Sequence, residues 1–382
     1  MNKKWKILRR ALSYVLAAAA GAGIMYLIHP LHKLDQLSGI LEEKYIGGAD
    51  VTAMEDAAAS AMVQSLGDRY SYYIPKEQYD AHVEGQYNVY VGIGVTIRAR
   101  EDGTGVDIEQ VEPGGPAQKA GILPGDLMTA VDGKSLAGMD VTGVKALVQG
   151  KEDTDVTVTV LREGEEKTFT LTRKRIQLHV AAGQMLSGNV GYVSVSNFSF
   201  GSADDAILEI EKLLDQGAEA FVFDVRNNSG GFASEMNKLL DYLLPEGKLF
   251  CAVDYQGKEQ IDMSDEKCLE MPMTVLVNGS SYSAAEFFAA ALSEYGWAKV
   301  VGEPTTGKGR FQSTITLLDG SAINLSIGKY TTPNGVDLTE VGGIRPDVTV
   351  EVDEQTAAMI YADLVPPEED PQVLAALELL TQ

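Results

Sequence analysis

The sequence has little of what several common functions need. Its 382 residues include two cysteines, four histidines and two tryptophans, and 31 basic residues stand against 55 acidic ones. A net charge of −24 argues against nucleic acid as a partner, because phosphate backbones are bound by basic surfaces. No group of cysteines and histidines has the spacing of a metal site. We therefore predict no nucleic acid partner, no metal and no other cofactor.

Long apolar runs are also scarce, except near the N-terminus. Residues 11–28 are uncharged and follow five basic residues within the first ten. Such a run is just long enough to span a bilayer as a helix, and a cleaved signal peptide is the alternative. Because the run continues past its alanines, we favour an uncleaved single-pass anchor, with the chain from about residue 30 outside the cytoplasm. There Cys251 and Cys268 could pair, which the sequence alone does not decide.

The strongest chemical signal lies between residues 273 and 312. Thr274–Val277 predicts a buried strand and Ser283–Leu292 a buried helix. Ser283 would lie in the first helical turn, where N–H groups lack partners and negative charge is favoured. Lys308 stands between two glycines, with Gln312 four residues later. A serine on a strand-to-helix turn and a lysine in a tight turn are a candidate nucleophile and base.

Other interpretations of these residues stay open. Ser283 could be a plain helix cap, and Lys308 a solvated turn lysine. Gly302–Lys308 fits the front of a phosphate-binding loop, although Gly309 stands where a metal-binding hydroxyl is needed and no helical pattern follows. Ser229 is a second nucleophile candidate, but its neighbours are typical of a turn.

These motifs resemble those of the carboxyl-terminal processing peptidases, which are serine peptidases with a serine and lysine pair. The similarity covers Val275–Glu286, Val300–Pro304 and Gly307–Gly309. It implies that Ser283 is the nucleophile, Lys308 the base and Gln312 the residue that orients the lysine. The sequence departs from the family at three positions: Tyr282 stands where alanine is usual, Ala285 where serine is usual, and Thr306 where phenylalanine is usual.

Residues 88–178 resemble a PDZ domain. Glycines bracket a strand start at Tyr90–Val95, a Pro-Gly-Asp turn follows at residues 124–126, and Val156–Val160 alternates as a half-buried strand does. The resemblance implies that an extended peptide adds to a sheet edge. Its terminal carboxylate would bind the N–H groups of Gly92, Ile93, Gly94 and Val95. A β-rich packing domain without a ligand is the alternative.

Strands and helices alternate from residue 179 to 352, which is typical of an α/β core. The predicted strands include 190–195, 221–225 and 322–327, and the predicted helices 203–214 and 233–244. Asp224–Gly231 falls at a strand end, where α/β sheets place their chemistry, and it resembles a turn of the same peptidases. That resemblance implies an oxyanion hole made by the amide of Ala284 and that of Gly230 or Gly231. A glycine turn that only reverses the chain is the alternative.

The family resemblance implies a crotonase-like or ClpP-like α/β peptidase core with an inserted, mainly β PDZ domain and an N-terminal helical segment. We expect an anchor or signal segment (1–30), a helical region (31–87), the PDZ domain (88–178), the core (179–352) and an acidic helical tail (353–382). The expected activity is cleavage of polypeptides selected through their C-termini. A PDZ scaffold with an inactive core and a crotonase-like acyl enzyme are the alternatives, and a homo-oligomer is left open.

Overall fold

The computed structural model describes residues 32–100, 102–362 and 364–380. The predicted anchor at residues 11–28 lies outside these ranges. Among the residues described, no helix combines the length and apolar character needed to cross a membrane. The described residues divide into two compact units: one holds those from His32 to Glu77 together with Ser313–Leu325, and the other holds those of Gln78–Gln312 and those from Ser326 to Leu380.

The first unit contains two helices and a short strand, α1 (His32–Lys44), α2 (Val51–Gln64) and β1 (Tyr72–Ile74). Asp50 caps α2 by accepting the N–H of Ala53 at 3.1 Å. Strand β1 pairs antiparallel with residues 322–324. The helical pattern expected after residue 31 is therefore present.

The second unit begins within helix α3 (Lys76–Gln86) and continues into a region built mainly of strands. One sheet has the order β3-β4-β5-β7-β8, with β6 paired to β5, while β2 pairs with β9. Val156, Val158 and Val160 of β7 are all buried, so the alternation read from the sequence matches the buried face. The elements are β2 (Val89–Gly92), β3 (Val95–Ala99), β4 (Val106–Val111), α4 (Pro116–Ala120), β5 (Leu127–Val131), β6 (Lys134–Ser135), α5 (Val141–Val148), β7 (Asp155–Arg162), β8 (Glu165–Thr172) and β9 (Lys174–Gln177).

A six-stranded sheet forms the centre of the remaining chain, with the order β10-β11-β12-β15-β16-β19. Strand β10 is antiparallel to β11, and the other pairs are parallel. Parallel strands covered on both faces are apolar throughout, and every residue of β12 and β15 is buried. The strands are β10 (Ala181–Leu186), β11 (Val190–Val195), β12 (Ala220–Asp224), β15 (Met273–Val277), β16 (Ala298–Gly302) and β19 (Val348–Thr349).

Helices cover the two faces of this sheet unequally. One face packs against α6 (Ser202–Asp215), α7 (Ala233–Leu243) and α8 (Ala284–Glu294), whose apolar residues form the largest buried cluster. The other face packs against α11 (Pro371–Leu380) through Val373 and Ala376. Because the strands run parallel, the turns after β12 and β15 leave the same edge of the sheet.

The other elements form a second sheet and several short helices. In the second unit, β13 pairs with β14 and with residues 328–331 of β18. Cys251 on β13 and Cys268 are both free thiols. The elements are β13 (Gly247–Asp254), β14 (Glu259–Ser264), β17 (Arg310–Thr316), β18 (Ala322–Thr331), α9 (Leu338–Val341), α10 (Glu354–Tyr361) and a 3-10 turn (Pro367–Glu369).

Candidate active site

Ser283 lies between β15 and α8 in a backbone conformation that few residues adopt. Its φ is 59° and its ψ is −126°, a combination that is strained for a residue with a side chain. Ala284 begins α8, so its N–H has no partner within the helix. Ser283 is only 8% exposed. The structure therefore holds a buried serine in a strained turn at the N-cap of α8.

Glu286 is fully buried in the first turn of α8, where its carboxylate accepts four hydrogen bonds. Oε2 accepts the N–H of Ser283 at 2.9 Å and the N–H of Lys308 at 2.8 Å. Oε1 accepts the N–H of Gly307 at 2.7 Å and the hydroxyl of Thr305 at 2.5 Å. A buried carboxylate is costly unless its oxygens are bonded. This one side chain ties the turn that carries Ser283 to the turn that carries Lys308.

The turn around Lys308 leaves no room for larger residues at its two glycines. Gly307 has a φ of +82°, and a Cβ there would come within 2.8 Å of the Gly343 nitrogen. A Cβ on Gly309 would lie 2.9 Å from Oδ1 of Asp337. Packing against the segment around α9 therefore explains why glycines flank the lysine and keeps its backbone in place.

The side chain of Lys308 extends toward the serine turn. Its Nζ lies 5.6 Å from the centroid of the Tyr282 ring, within the range of a cation–π contact. Tyr282 immediately precedes Ser283, and its N–H donates to the carbonyl of Asn228 at 3.2 Å. The lysine amine and the serine are thus brought to the same turn by residues from three separate segments.

The glycine turn after β12 packs directly on the serine turn. A Cβ on Gly230 would come 2.8 Å from the Cβ of Ser283 and 3.0 Å from the nitrogen of Ala284. Gly230 also has a φ of +85°, so both its conformation and its neighbours require glycine. Its N–H donates to Oδ1 of Asn228 at 2.8 Å.

Gly231 differs from Gly230 in how its backbone is used. The N–H of Phe198 bonds the carbonyl of Gly230, and the N–H of Phe232 bonds the carbonyl of Phe198. In this parallel bridge between Phe198 and Gly231, the hydrogen bonds are made by Gly230 and Phe232, the residues on either side of Gly231. The N–H of Gly231 itself takes no part in them. Of the two glycine amides, the one on Gly231 is therefore the better placed to bind a ligand.

Asparagine side chains join the ends of β12 and β15. Asn278 accepts the N–H of Asn227 at 2.9 Å and donates back to its side chain at 3.0 Å. The hydroxyl of Ser281 donates to the carbonyl of Val225 at 2.7 Å. These bonds fix the spacing between the glycine turn and the serine turn.

Buried charged residues form a cluster at the start of the glycine turn. Arg226 donates to both carboxylate oxygens of Asp224 at distances between 2.5 and 3.0 Å. Its remaining nitrogen donates to Asp370 at 2.7 Å and to Gln372 at 2.8 Å. Burial alone would lower the pKa of Arg226, but the two carboxylates raise it further than burial lowers it. Burial and Asp224 likewise raise the pKa of Tyr192, which donates to that carboxylate.

The other predicted site residues have clear positions. Gln312 lies on β17, and its amide donates to the carbonyl of Arg310 at 3.2 Å and to Oγ of Ser326 at 3.0 Å. Its predicted role in orienting Lys308 stays a prediction. Strand β17 begins two residues after Lys308, so the phosphate-binding loop is excluded, because that loop leads into a helix. Ser229 is exposed on the glycine turn.

Three of the four predicted peptide-binding residues, Ile93, Gly94 and Val95, line a cavity of about 400 Å³, whereas Gly92 ends β2 beside it. Gly94 has a φ of +77°, and a Cβ there would come 2.9 Å from the Cβ of Glu112. Strand β3, which follows the loop, is at the edge of its sheet, so one side of its backbone is available to an added strand. Apolar side chains line much of the cavity, including Ile93, Val95, Ile97, Val111, Val148 and Ile176.

Titratable side chains surround the same cavity. Burial raises the pKa of Tyr90, and the carboxylate of Glu112 raises it further. His179 lies near the cavity, and its hydrogen bond to Asp205 at 3.0 Å raises its pKa. Lys145 on α5 adds a basic group. The lining of the cavity therefore combines apolar side chains with titratable ones.

Comparison with known proteins identifies the chain's relatives. Residues 189–350 match the model of peptidase family S41, and residues 108–162 match that of the PDZ domain. The carboxy-terminal processing protease CtpA of Bacillus subtilis (strain 168) is 32% identical over 337 residues, which cover 87% of this chain and 72% of that protein. The chain belongs to the carboxy-terminal processing protease family. The family resemblance seen in the sequence is thereby confirmed.

Two further relatives add to this assignment. A "probable CtpA-like serine protease" of Staphylococcus aureus (strain N315) is 36% identical over 329 residues, which cover 84% of this chain but only 65% of that relative's length. A crystal structure described as an S41 protease of Bacteroides fragilis aligns with a TM-score of 0.53 and 17% identity over 84% of this chain and 90% of that one. The α/β peptidase fold with an inserted PDZ domain is therefore confirmed.

The sequence did not reveal all the residues that build this site. In the sequence, Glu286 only marked the position three residues after Ser283. In the structure, its carboxylate accepts N–H groups from both the serine turn and the lysine turn. Asn228 and Thr305 also had no predicted role. The carbonyl of Asn228 accepts the N–H of Tyr282, and the hydroxyl of Thr305 donates to Glu286. Their partners are distant in sequence, so no local pattern could show them.

Proposed function

We propose that this member of the carboxy-terminal processing proteases is a serine endopeptidase with Ser283 as the nucleophile and Lys308 as the general base. The observation that carries the proposal is the shared hydrogen-bond acceptor, since one oxygen of Glu286 binds the N–H groups of both residues. That arrangement holds the backbones of nucleophile and base in one cluster.

In the proposed reaction, neutral Lys308 takes the proton of the Ser283 hydroxyl as the oxygen attacks the peptide carbonyl. The ammonium then returns that proton to the leaving amine as the C–N bond breaks, and water hydrolyses the acyl-enzyme. Lys308 is half-buried, and partial exclusion of water favours the neutral amine that this step needs. We assign Gln312 the role of a neutral positioning group for the lysine.

Backbone amides would stabilise the oxyanion that forms. We assign one donor to the N–H of Ala284, which has no helical partner, and the other to Gly231. Gly230 is the weaker candidate because its N–H already donates to Asn228. Removing one such donor typically costs about 3–4 kcal/mol of transition-state stabilisation.

The cavity beside Gly92–Val95 supports capture of a polypeptide through its C-terminus. An edge strand, a loop that presents backbone N–H groups and an apolar lining are the features that PDZ domains use to bind a terminal carboxylate and the side chain before it. We propose that the substrate's C-terminus binds here while a more distant peptide bond is cut at Ser283.

The test is cleavage of an unfolded protein by the full chain and three variants. Ser283→Ala and Lys308→Ala should each reduce kcat by up to about 10⁶-fold, while Ser229→Ala, on the neighbouring turn, should retain activity. Equal cleavage by the wild type, Ser283→Ala and Lys308→Ala would reject the assignment. Failure of the wild type to cut any unfolded protein would favour the scaffold alternative.

We also propose that residues 11–28 anchor the chain in a membrane. The support is the uncharged run and the basic residues before it. The full chain should stay in the membrane fraction at high salt and alkaline pH, and a chain lacking residues 2–28 should be released. Release of both chains would contradict the anchor.

A further inference from the structure

One of the three positions at which this chain departs from the family pattern is Tyr282, which immediately precedes the proposed nucleophile Ser283. The family resemblance places alanine at this position, whereas here an aromatic ring faces the amine of Lys308 at 5.6 Å. The ring is half-buried. Its backbone is held by the hydrogen bond to Asn228 and by the strained turn at Ser283. The backbone from which the ring extends toward Lys308 is therefore fixed.

An aromatic face acts differently on the two forms of an amine. The negative face attracts a lysine ammonium but not a neutral amine. A contact that stabilises only the charged form makes proton loss harder. A general base must be neutral to accept a proton, so this contact opposes the form that the proposed reaction needs.

We propose that Tyr282 is a positioning residue that holds protonated Lys308 against its ring and so sets the pH above which the peptidase is active. The inference rests on the proposed roles of Ser283 and Lys308. It adds that this chain works at higher pH than it would with the alanine typical of the family. The ring thereby restrains the enzyme at neutral pH.

Other charged groups near the lysine turn come from several elements. Glu286 of α8 accepts the N–H of Lys308, and Asp337, which caps α9, lies beside Gly309 and pairs with Lys329 of β18. Arg310 follows in the chain. A change confined to Tyr282 leaves all of these groups in place, so a difference between variants reports on the ring.

The test is the pH dependence of kcat/KM for the full chain and three variants at position 282. Tyr282→Ala should move the midpoint of the rising limb down by about 0.5–1 pH unit. Below the midpoint, activity should then be about 3–10-fold higher than that of the wild type. Tyr282→Phe keeps the ring and should keep the midpoint. Tyr282→Leu fills similar space without a ring and should behave like Tyr282→Ala even if the smaller residue disturbs packing.

A direct titration separates this inference from the proposed mechanism. In chains labelled with ¹³C-lysine and carrying Ser283→Ala, the Lys308 signal is assigned by its loss in Lys308→Ala. Its titration midpoint should fall when Tyr282→Ala or Tyr282→Leu is added, but not when Tyr282→Phe is added. If this midpoint moves while the activity profile does not, Tyr282 controls the lysine but Lys308 is not the base.

Two results would overturn the inference. If Tyr282→Phe shifts the profile as far as Tyr282→Ala, the hydroxyl and not the ring face is responsible. If the variants lower kcat/KM equally at every pH and the Lys308 titration does not move, Tyr282 only supports the turn.

Discussion

The serine–lysine cluster (Ser283, Glu286, Thr305, Gly307 and Lys308) and the groove loop (Gly92–Val95), for which we propose binding of a terminal carboxylate, hold their backbones in different ways. In the cluster, a buried carboxylate accepts three backbone N–H groups from two turns. In the groove loop, flanking strands and a glycine of positive φ fix the backbone. The cluster therefore depends on one charged side chain, and the loop depends on its chain conformation.

The difference agrees with the function that we propose for each region. Two side chains that exchange a proton must hold their separation closely, because a shift of about 1 Å can cost roughly 100-fold in rate. A groove that takes different peptides needs donors whose position does not depend on the ligand's side chains. We expect single substitutions to affect catalysis far more in the cluster than in the loop.

Among substitutions that keep the proposed nucleophile and base, Glu286→Gln should have the largest effect. Each carboxylate oxygen of Glu286 now accepts hydrogen bonds from two donors. Glutamine replaces one of these oxygens with an NH₂ group, which cannot accept, so two buried donors lose their acceptor. Buried donors left without acceptors cost about 1–3 kcal/mol each, so we expect the free energy of unfolding to fall by about 3 kcal/mol or more. Displacement of the two turns should lower kcat/KM at least 100-fold, by roughly the cost of a 1 Å shift. Chemical unfolding and steady-state kinetics measure the two losses.

Glu235→Gln is the matched control for this change. Glu235 is also a buried helical glutamate, on α7, but within the described part of the chain its carboxylate accepts one backbone N–H, that of Ala203 at 3.1 Å. Glutamine can still accept that bond, so both stability and kcat/KM should change little. A loss of activity in Glu235→Gln as large as that in Glu286→Gln would mean that any change to a buried helical carboxylate disturbs the site.

A smaller and more selective effect is expected for Gly94→Ala in the groove loop. The positive φ and the approach to Glu112 should distort the loop and weaken binding of a free C-terminus about tenfold, or about 1.4 kcal/mol. Cleavage of a short peptide with an amidated C-terminus should not change. Calorimetry with a C-terminal peptide measures the first quantity and a peptide assay the second.

Gly133→Ala tests whether strain alone explains that result. Gly133 has a φ of +75°, close to that of Gly94, but a Cβ there would meet nothing within 4 Å. It should lower stability slightly and leave peptide affinity unchanged. Equal loss of affinity in the two variants would show that the loop contact with Glu112 is not what matters.

The smallest effect should be on how stability depends on pH, through His179 beside the cavity. The bond to Asp205 raises the pKa of His179, so the stability it adds is present below pH 6.5 or so, the usual histidine pKa, and is lost as pH rises through the raised value. Because the His179 side chain is 60% exposed, we expect only a few tenths of a kcal/mol. In His179→Gln, thermal unfolding should show a smaller loss of stability between pH 5.5 and 8.5.

His82→Gln should change the pH dependence in the opposite direction. Burial lowers the pKa of His82, so its contribution is present at higher pH and is lost as pH falls through the lowered value. The same sign of change in both histidine variants would contradict these assignments.

Elements with regular patterns were predictable from the sequence. Val190–Val195 is a strand with the predicted bounds, and the alternation at Val156–Val160 marks the buried face of β7. The helix predicted over Ser283–Leu292 is present and spans Ala284–Glu294, so it begins one residue later than expected, with Ser283 as its N-cap. Such patterns work because strand and helix periods place apolar residues on one face.

Contacts between distant residues were not predictable in the same way. Arg226 meets Asp370 across 144 positions, and Glu286 meets Lys308 across 22. The sequence also left Gly230 and Gly231 equivalent, whereas their hydrogen bonding distinguishes them. The amine of Lys308 facing Tyr282 depends on how two turns meet, which neither segment specifies by itself.

The sequence alone determined the family, the alternation of elements and the residue types available for chemistry, because motifs and periodicity are local properties. The tertiary structure decided which of the two glycine N–H groups donates within its own turn, and which side chain accepts the N–H groups of both Ser283 and Lys308. These follow from the meeting of parallel strand ends, which brings polar groups from separate segments into one buried place. There each group must find a partner, since an unpaired polar group away from water is costly.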